Sequence, residues 1–330
     1  LQWGEDTPIS ITGPRAGHQL VLMNASEDLT RKAIYTAIPD DIVEIDSSGY
    51  IRPLKNGTAT IRATANEISS PERQVTVTKY EVLPPVGFVN EIVPLFTRHG
   101  CNGGSCHGKV GGQNSFRLSL MGFEPEKDRS YVTESRGRRI FRAAPAHSLL
   151  ALKGSGQLPH KGGSRLTPGG DDYKLLIDWI GQLGSPGEPD TPEPDVERII
   201  VMPSERITLA EASQQLRVTA HMSDGTSRDI TRAALYESND ESMAEVDLLG
   251  LVKLRGKSGT VSVMVRFREE MAVFRAIVPL GAPMENIPAP HSLIDTHVFA
   301  KLQTLGPVSY THLRAHETEA DLVCRLLLEK

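Results

Sequence analysis

The sequence predicts a multidomain chain: two all-β sandwiches flanking a small, mainly α domain. Three observations predict it. Regions 1–80 and 195–280 carry short apolar runs that alternate with polar residues and end in turn residues. These two regions repeat each other block by block. Between them, residues 85–184 drop the period of two for apolar spacings of three and four. The length of 330 residues suits two or three domains. A hydrophobic content of 39% and a charged content of 23% are those of an ordinary globular protein. No apolar run is long enough for a membrane-spanning helix. A net charge of −5 gives no basic footprint for nucleic acid.

In the first region, strands are predicted at Gln19-Leu-Val-Leu-Met23, Ile42-Val-Glu-Ile45 and Thr58-Ala-Thr-Ile-Arg-Ala-Thr64. Ser47-Ser48-Gly49 and Lys55-Asn56-Gly57 are hairpin signals, because a tight turn demands a residue tolerant of positive φ. Ser223-Asp224-Gly225 is the corresponding signal in the later region. The duplication is read from three blocks. Leu29-Thr-Arg-Lys-Ala-Ile-Tyr35 matches Ile230-Thr-Arg-Ala-Ala-Leu-Tyr236, and Glu44-Ile-Asp-Ser-Ser-Gly-Tyr-Ile51 matches Glu245-Val-Asp-Leu-Leu-Gly-Leu-Val252. Gly57-Thr-Ala-Thr-Ile61 matches Gly259-Thr-Val-Ser-Val263 after a slip of one residue. Glu44 to Ala63 and Glu245 to Val265 resemble bacterial immunoglobulin-like domains of group 2. That resemblance implies a β-sandwich in each region, with a role as a spacer or adhesion module and no ligand site evident.

In the middle region, Phe88, Ile92, Leu95 and Phe96 share a helical face that Pro94 is expected to kink. Thr167-Pro168 reads as an N-cap with proline at the first helical position, opening a helix whose stripe is Tyr173, Leu176, Ile177, Ile180 and Leu183. Cys101-Asn-Gly-Gly-Ser-Cys106-His107 lies between these helices. Two thiols followed at once by an imidazole have the chemistry of covalent haem attachment, with thioethers to the porphyrin and a ring nitrogen on the iron. The common form is C-x-x-C-H, whereas here four residues separate the thiols, so the loop must bow outward. Gly103 and Gly104 suit such a loop. The alternatives are a Cys101–Cys106 disulfide and a metal site that includes His99. A helix on either side of the thiols is the minimal plan of a c-type cytochrome, in which the porphyrin supplies much of the core. Residues 185–194 read as a stiff, extended proline-rich linker.

Arg98 to Gly108, Ser115 to Phe123, Ser148 to Leu150, Pro159 to Arg165 and Leu176 to Ile180 resemble a family of large exported planctomycete proteins. There a cytochrome c-like domain with the spread C-x4-C-H motif lies between group 2 immunoglobulin-like domains. The resemblance implies one covalent haem c and an exported chain, in the periplasm or at the cell surface, of which this is an N-terminal part. Residues 283–306 look like the truncated start of a downstream domain. Residues 307–330 resemble translated sequencing-adapter sequence, so Cys324, His312 and His316 receive no role.

By this reading Cys101 and Cys106 are thioether anchors and His107 is the proximal iron ligand. Related domains carry a methionine where Gln157-Leu158-Pro159-His160 stands here, so His160 becomes the candidate distal ligand, with an open iron as the alternative. Arg165, beside it, is the candidate partner of a haem propionate. Met121 is read as a packing residue beside Phe116 and Phe123, His147 as solvated, and His99 as a surface residue at a helix end. The expected function is electron transfer to an unidentified redox partner, with immunoglobulin-like domains as spacers. The alternative is a surface structural or adhesion protein with a Cys101–Cys106 disulfide and no haem. No catalytic motif is evident, so any catalysis would belong to domains beyond this sequence.

Overall fold

The computed structural model describes residues 1–4, 7–25, 27–134, 139–183, 192–281 and 289–306. Three apolar clusters lie in succession along the chain. The first sandwich contains β1 (Gln2–Trp3), β2 (Ile9–Thr12), β3 (His18–Gln19), β4 (Leu22–Met23), β5 (Ile34–Ile38), β6 (Val43–Ile45), β7 (Tyr50–Pro53), β8 (Gly57–Ala65), β9 (Ile68–Ser69) and β10 (Arg73–Thr78). One sheet runs β2-β10-β8-β5 and another runs β3-β7-β6. The strand period of two is plain in β8, where Ala59, Ile61, Ala63 and Ala65 face the core and the residues between them do not.

The second sandwich contains β11 (Val196–Met202), β12 (Glu205–Ile207), β13 (Ser213–Gln215), β14 (Arg217–Met222), β15 (Ser227–Asp229), β16 (Leu235–Ser238), β17 (Ala244–Val246), β18 (Leu251–Leu254), β19 (Gly259–Phe267) and β20 (Glu270–Val278). Two of its sheets run β12-β20-β19-β16 and β13-β18-β17, the same order as in the first, and a third runs β11-β14-β15. In both, the second strand pairs parallel with the last one, β2 with β10 and β12 with β20. The duplication therefore extends from sequence blocks to topology. It reaches single hydrogen bonds: the Tyr35 hydroxyl donates to Thr30 O at 2.7 Å, and the Tyr236 hydroxyl donates to Thr231 O at 2.8 Å.

Two expectations within the sandwiches need correction. Gln19 to Met23 does not alternate: Leu20, Val21 and Leu22 are all buried. The chain passes from one sheet to another there, leaving β3 and entering β4, so each residue finds a different apolar neighbour. Lys55-Asn56-Gly57 is not a hairpin, because β7 and β8 belong to different sheets. Ser47-Ser48-Gly49 does join the antiparallel pair β6–β7, with Gly49 at φ 76°.

The middle region is helical. A π-helical turn at Phe88–Ile92 leads into α1 (Val93–Arg98), followed by α2 (Pro125–Thr133), α3 (Leu149–Gly154) and α4 (Asp171–Gln182). The expected disturbance at Pro94 takes the form of this widened turn, in which the Ile92 N–H donates five residues back to Gly87 O at 3.2 Å. In its core Phe88, Ile92, Leu95 and Phe96 meet Leu176, Trp179 and Ile180, with the Phe88 and Trp179 rings 5.1 Å apart. Trp179, absent from the predicted stripe, is fully buried within it.

Helix α4 begins at Asp171, not at Pro168. Thr167 to Gly170 closes as a turn with Pro168 second and Gly169 third at φ 75°, a position that glycine occupies without a Cβ clash. The linker is tied down at its end. Glu193 accepts from the Val89 and Asn90 amides at 2.8 and 2.7 Å, and Pro194 O accepts from Asn90 Nδ2. Most of 185–194, the start of 283–306 and all of 307–330 lie outside the described residues; α5 (Leu293–Leu305) occupies the described part of 289–306. No helix among the described residues is long and apolar enough to cross a membrane.

Candidate functional site

The thiol loop starts where α1 ends. Gly100, at φ 71°, turns the chain out of the helix, and the Cys101 N–H donates back to Phe96 O at 2.8 Å. Positive φ thus falls on Gly100 and not on Gly103 or Gly104. The loop folds onto itself: Cys106 N–H donates to Gly103 O, His107 N–H to Cys101 O and Gly108 N–H to Gly103 O, at 3.0, 3.0 and 3.1 Å. Gly108 matters more than either glycine inside the motif. A Cβ there would stand 2.0 Å from Asn102 O, so any other residue would force the loop open.

Both thiols are free. Burial pushes the Cys101 thiol up to about 12, with the Arg165 guanidinium nearby pulling it partway back. It is therefore a protonated thiol, poorly nucleophilic without assistance.

His107 is half-buried. Its Nδ1–H donates to Phe116 O at 3.0 Å, and its ring lies 4.5 Å from the Phe116 ring. The Arg139 guanidinium covers the Phe116 ring at 4.5 Å. Burial, and secondarily His160, lower the pKa of His107, which favours the neutral imidazole. With Nδ1 committed to a carbonyl, the lone pair sits on Nε2, the form that binds metals.

His160 reaches the same place from a different part of the chain. Its Nδ1–H donates to Gly163 O at 3.0 Å, leaving Nε2 with its lone pair. Gly162 makes room, since a Cβ there would stand 2.8 Å from His160 Cε1. The His107 and His160 rings lie 6.2 Å apart with planes within 5° of parallel. Each ring thus keeps an Nε2 lone pair, the donor type that haem iron takes from histidine. Arg165 is exposed and donates through Nε to Gly162 O at 2.8 Å, leaving its terminal nitrogens for another anion.

Large apolar side chains are exposed around this pair. Leu120, 54% exposed, lies against the loop at Gly104, and Leu158, 37% exposed, precedes Pro159-His160. Phe123 is 70% exposed and Met121, at φ 55°, is outside the apolar cluster, so the packing role expected of Met121 is not found. His147 is exposed, as expected.

His99 is not a surface residue. Its side chain is 10% exposed and its Nε2–H donates to Asp172 Oδ2 at 2.7 Å, beside the Arg98 guanidinium on the same carboxylate. Asp172 thus occupies the Nε2 of His99. Among the described residues no group of three His, Cys, Asp or Glu side chains could hold a bare ion.

The model of the bacterial Ig-like domain (group 2) matches residues 195–266. No curated protein matches the chain. Among solved structures, domains 5–6 of the S-layer protein SbsC share 11% identity, covering 82% of this chain and 94% of that one, with a TM-score of 0.29. The longer S-layer protein rSbsC(31–844) shares 10% identity over 80% of this chain and 22% of its own length, with a TM-score of 0.24. Immunoglobulin domains 1–5 of Sidekick-1 share 8% identity over 86% of this chain and 44% of that one, at a TM-score of 0.24. The chain spans about a quarter or less of the first two surface-layer structures it resembles. The second sandwich is thus matched by a bacterial Ig-like domain, within a mostly β multidomain chain.

Proposed function

We propose that this is an exported protein whose residues 85–184 carry one covalent haem c for electron transfer, on a scaffold of Ig-like sandwiches. The observation that supports it best is the parallel His107–His160 pair, each ring held by a carbonyl at Nδ1 and offering Nε2. Cys101 and Cys106 would anchor the porphyrin as thioethers, His107 and His160 would bind its iron, and Arg165 would pair with a propionate.

When bound, the haem supplies a one-electron couple at iron, and two imidazoles favour a lower potential than imidazole with methionine. The chain does the rest. Phe116 O and Gly163 O set the tautomers, Leu120 and Leu158 offer apolar cover, and burial keeps the Cys101 thiol protonated until attachment. Thioether attachment requires maturation outside the cytoplasm, which accords with the bacterial Ig-like match.

That match also favours a second reading: a cell-surface structural or adhesion protein with a Cys101–Cys106 disulfide. Both readings share export and the scaffold. One experiment separates them. The chain is expressed in a periplasm equipped for c-type maturation, beside a control cytochrome, and its denatured pyridine haemochrome spectrum and intact mass are recorded. A c-type α-band with the mass of one added haem supports the first reading. A red control beside a colourless product lighter by only two hydrogens overturns it in favour of the second.

A further inference from the structure

We propose that the two sandwiches are not independent spacers but one clamp, built by a self-complementary docking face that each repeat presents to the other. The inference does not depend on the haem reading. It rests on contacts that occur twice with the roles exchanged. Gln215 N–H donates to Asp28 Oδ2 at 2.6 Å, and Gln19 N–H donates to Asp229 Oδ2 at 2.8 Å. Asp28 and Asp229 are equivalent positions of the duplication, as are Gln19 and Gln215 at the ends of β3 and β13. Arg31 reaches Asp247 at 3.4 Å, and Arg232 reaches Asp46 at 2.6 Å; these too exchange under the repeat. Four contacts related in pairs define a pseudo-two-fold axis between the sandwiches, the geometry of an isologous dimer inside one chain.

The chemistry of the face explains why it is specific. Each aspartate divides its oxygens: Oδ1 accepts from its own sandwich, Thr30 N–H for Asp28 and Thr231 N–H for Asp229, while Oδ2 accepts from the other sandwich. Both carboxyls are buried deeply enough that burial raises their pKa despite these bonds. A buried carboxylate stripped of one partner is costly, so undocking either sandwich leaves Oδ2 short of a donor. Arg232 also lies 3.9 Å over the Tyr50 ring. The occupant of each face is therefore another copy of the same repeat, here supplied in cis.

Docking has a consequence for the middle region. It leaves the first sandwich after β10 and returns at β11, and Arg52 of β7 grips Asp171 at the start of α4 at 2.8 Å. Arg268, at the β19–β20 turn, donates to Val89 O at 2.9 Å. The helical unit is gripped from both sandwiches and presents its thiol loop in one fixed pose.

The test uses the full-length chain. Amide hydrogen exchange is measured at Gln19 and Gln215, whose N–H groups are spent across the interface, and the radius of gyration is measured by small-angle scattering. Docking predicts protection at both amides, comparable to that in β8 and β19. Unprotected amides at both positions overturn the proposal, and this readout needs no variant. Arg31→Ala with Arg232→Ala removes contacts made only across the face. The expected result is a fall in protection at Gln19 and Gln215 together, by about 10- to 100-fold, the worth of a charge-assisted hydrogen bond, with a larger radius and β8 and β19 still protected. Protection at both amides unchanged in that variant also overturns it.

Discussion

At the scale of residues, the site depends on groups whose importance is unequal to their visibility. As candidates, Cys101, Cys106 and His107 come from the order of the motif, and His160 from its place in the family pattern. Gly108 comes from neither, since nothing in the sequence says that Asn102 O will fold over it. Gly108→Ala is expected to disrupt the loop, and the check is a strong loss of covalent haem per mole of protein in the haemochrome assay. His160→Ala should leave attachment intact and shift the absorption spectrum from six-coordinate towards five-coordinate or water-ligated iron. An unchanged spectrum would remove His160 from the site. His99 was misread because its partner, Asp172, is distant in sequence and brought close only by the crossing of α1 and α4.

Elements show the same division. Apolar periodicity located α1 and α4, but Trp179 escaped the stripe because the core receives that helix over a wider arc than the predicted face. The first turn of α4 was misplaced because Pro168 suits a helix start and the second position of a turn equally; Gly169 decides between them. Two predictions belong here. Phe88→Ala, which empties the contact with Trp179, should cost about 3–5 kcal/mol in the stability of the helical unit. Urea unfolding followed by Trp179 fluorescence in a Trp3→Phe background measures it. The second concerns pH. Burial raises the Asp172 carboxyl, but the His99 hydrogen bond and the Arg98 charge more than offset this and hold it below the usual carboxylate range. A carboxylate with a lowered folded pKa contributes stability that is complete above its unfolded value, about 4, and lost as pH falls through the folded value. The helical unit should therefore lose stability with acidification below about pH 4, and Asp172→Asn should remove that dependence together with the stability it represents.

For the whole molecule, the succession of β, α and β was legible from periodicity and from the duplicated blocks. The docking of the sandwiches was not. Asp28 and Asp229 each sit two residues before a threonine, which reads as ordinary local capping; only the structure reveals the second oxygen turned outwards. The clamp predicts thermodynamic coupling. Phe274→Ala, which opens the core of the second sandwich, should lower hydrogen-exchange protection in β8 of the first as well. Protection lost in the second sandwich alone would mean that the two cores respond separately.

The ends of the helical unit meet. Gln182, at the close of α4, holds Val86 through both its amide atoms, donating to Val86 O at 2.5 Å and accepting from Val86 N–H at 2.8 Å, and Glu193 returns to the first turn at Val89 and Asn90. The unit is pinched shut at its neck. A segment so closed can be cut out of a gene or pasted into one without tearing the two halves it separates. An ancestral tandem of paired repeats could have received it as a cassette in a single recombination, and the same neck marks where a different cargo could be grafted between the repeats.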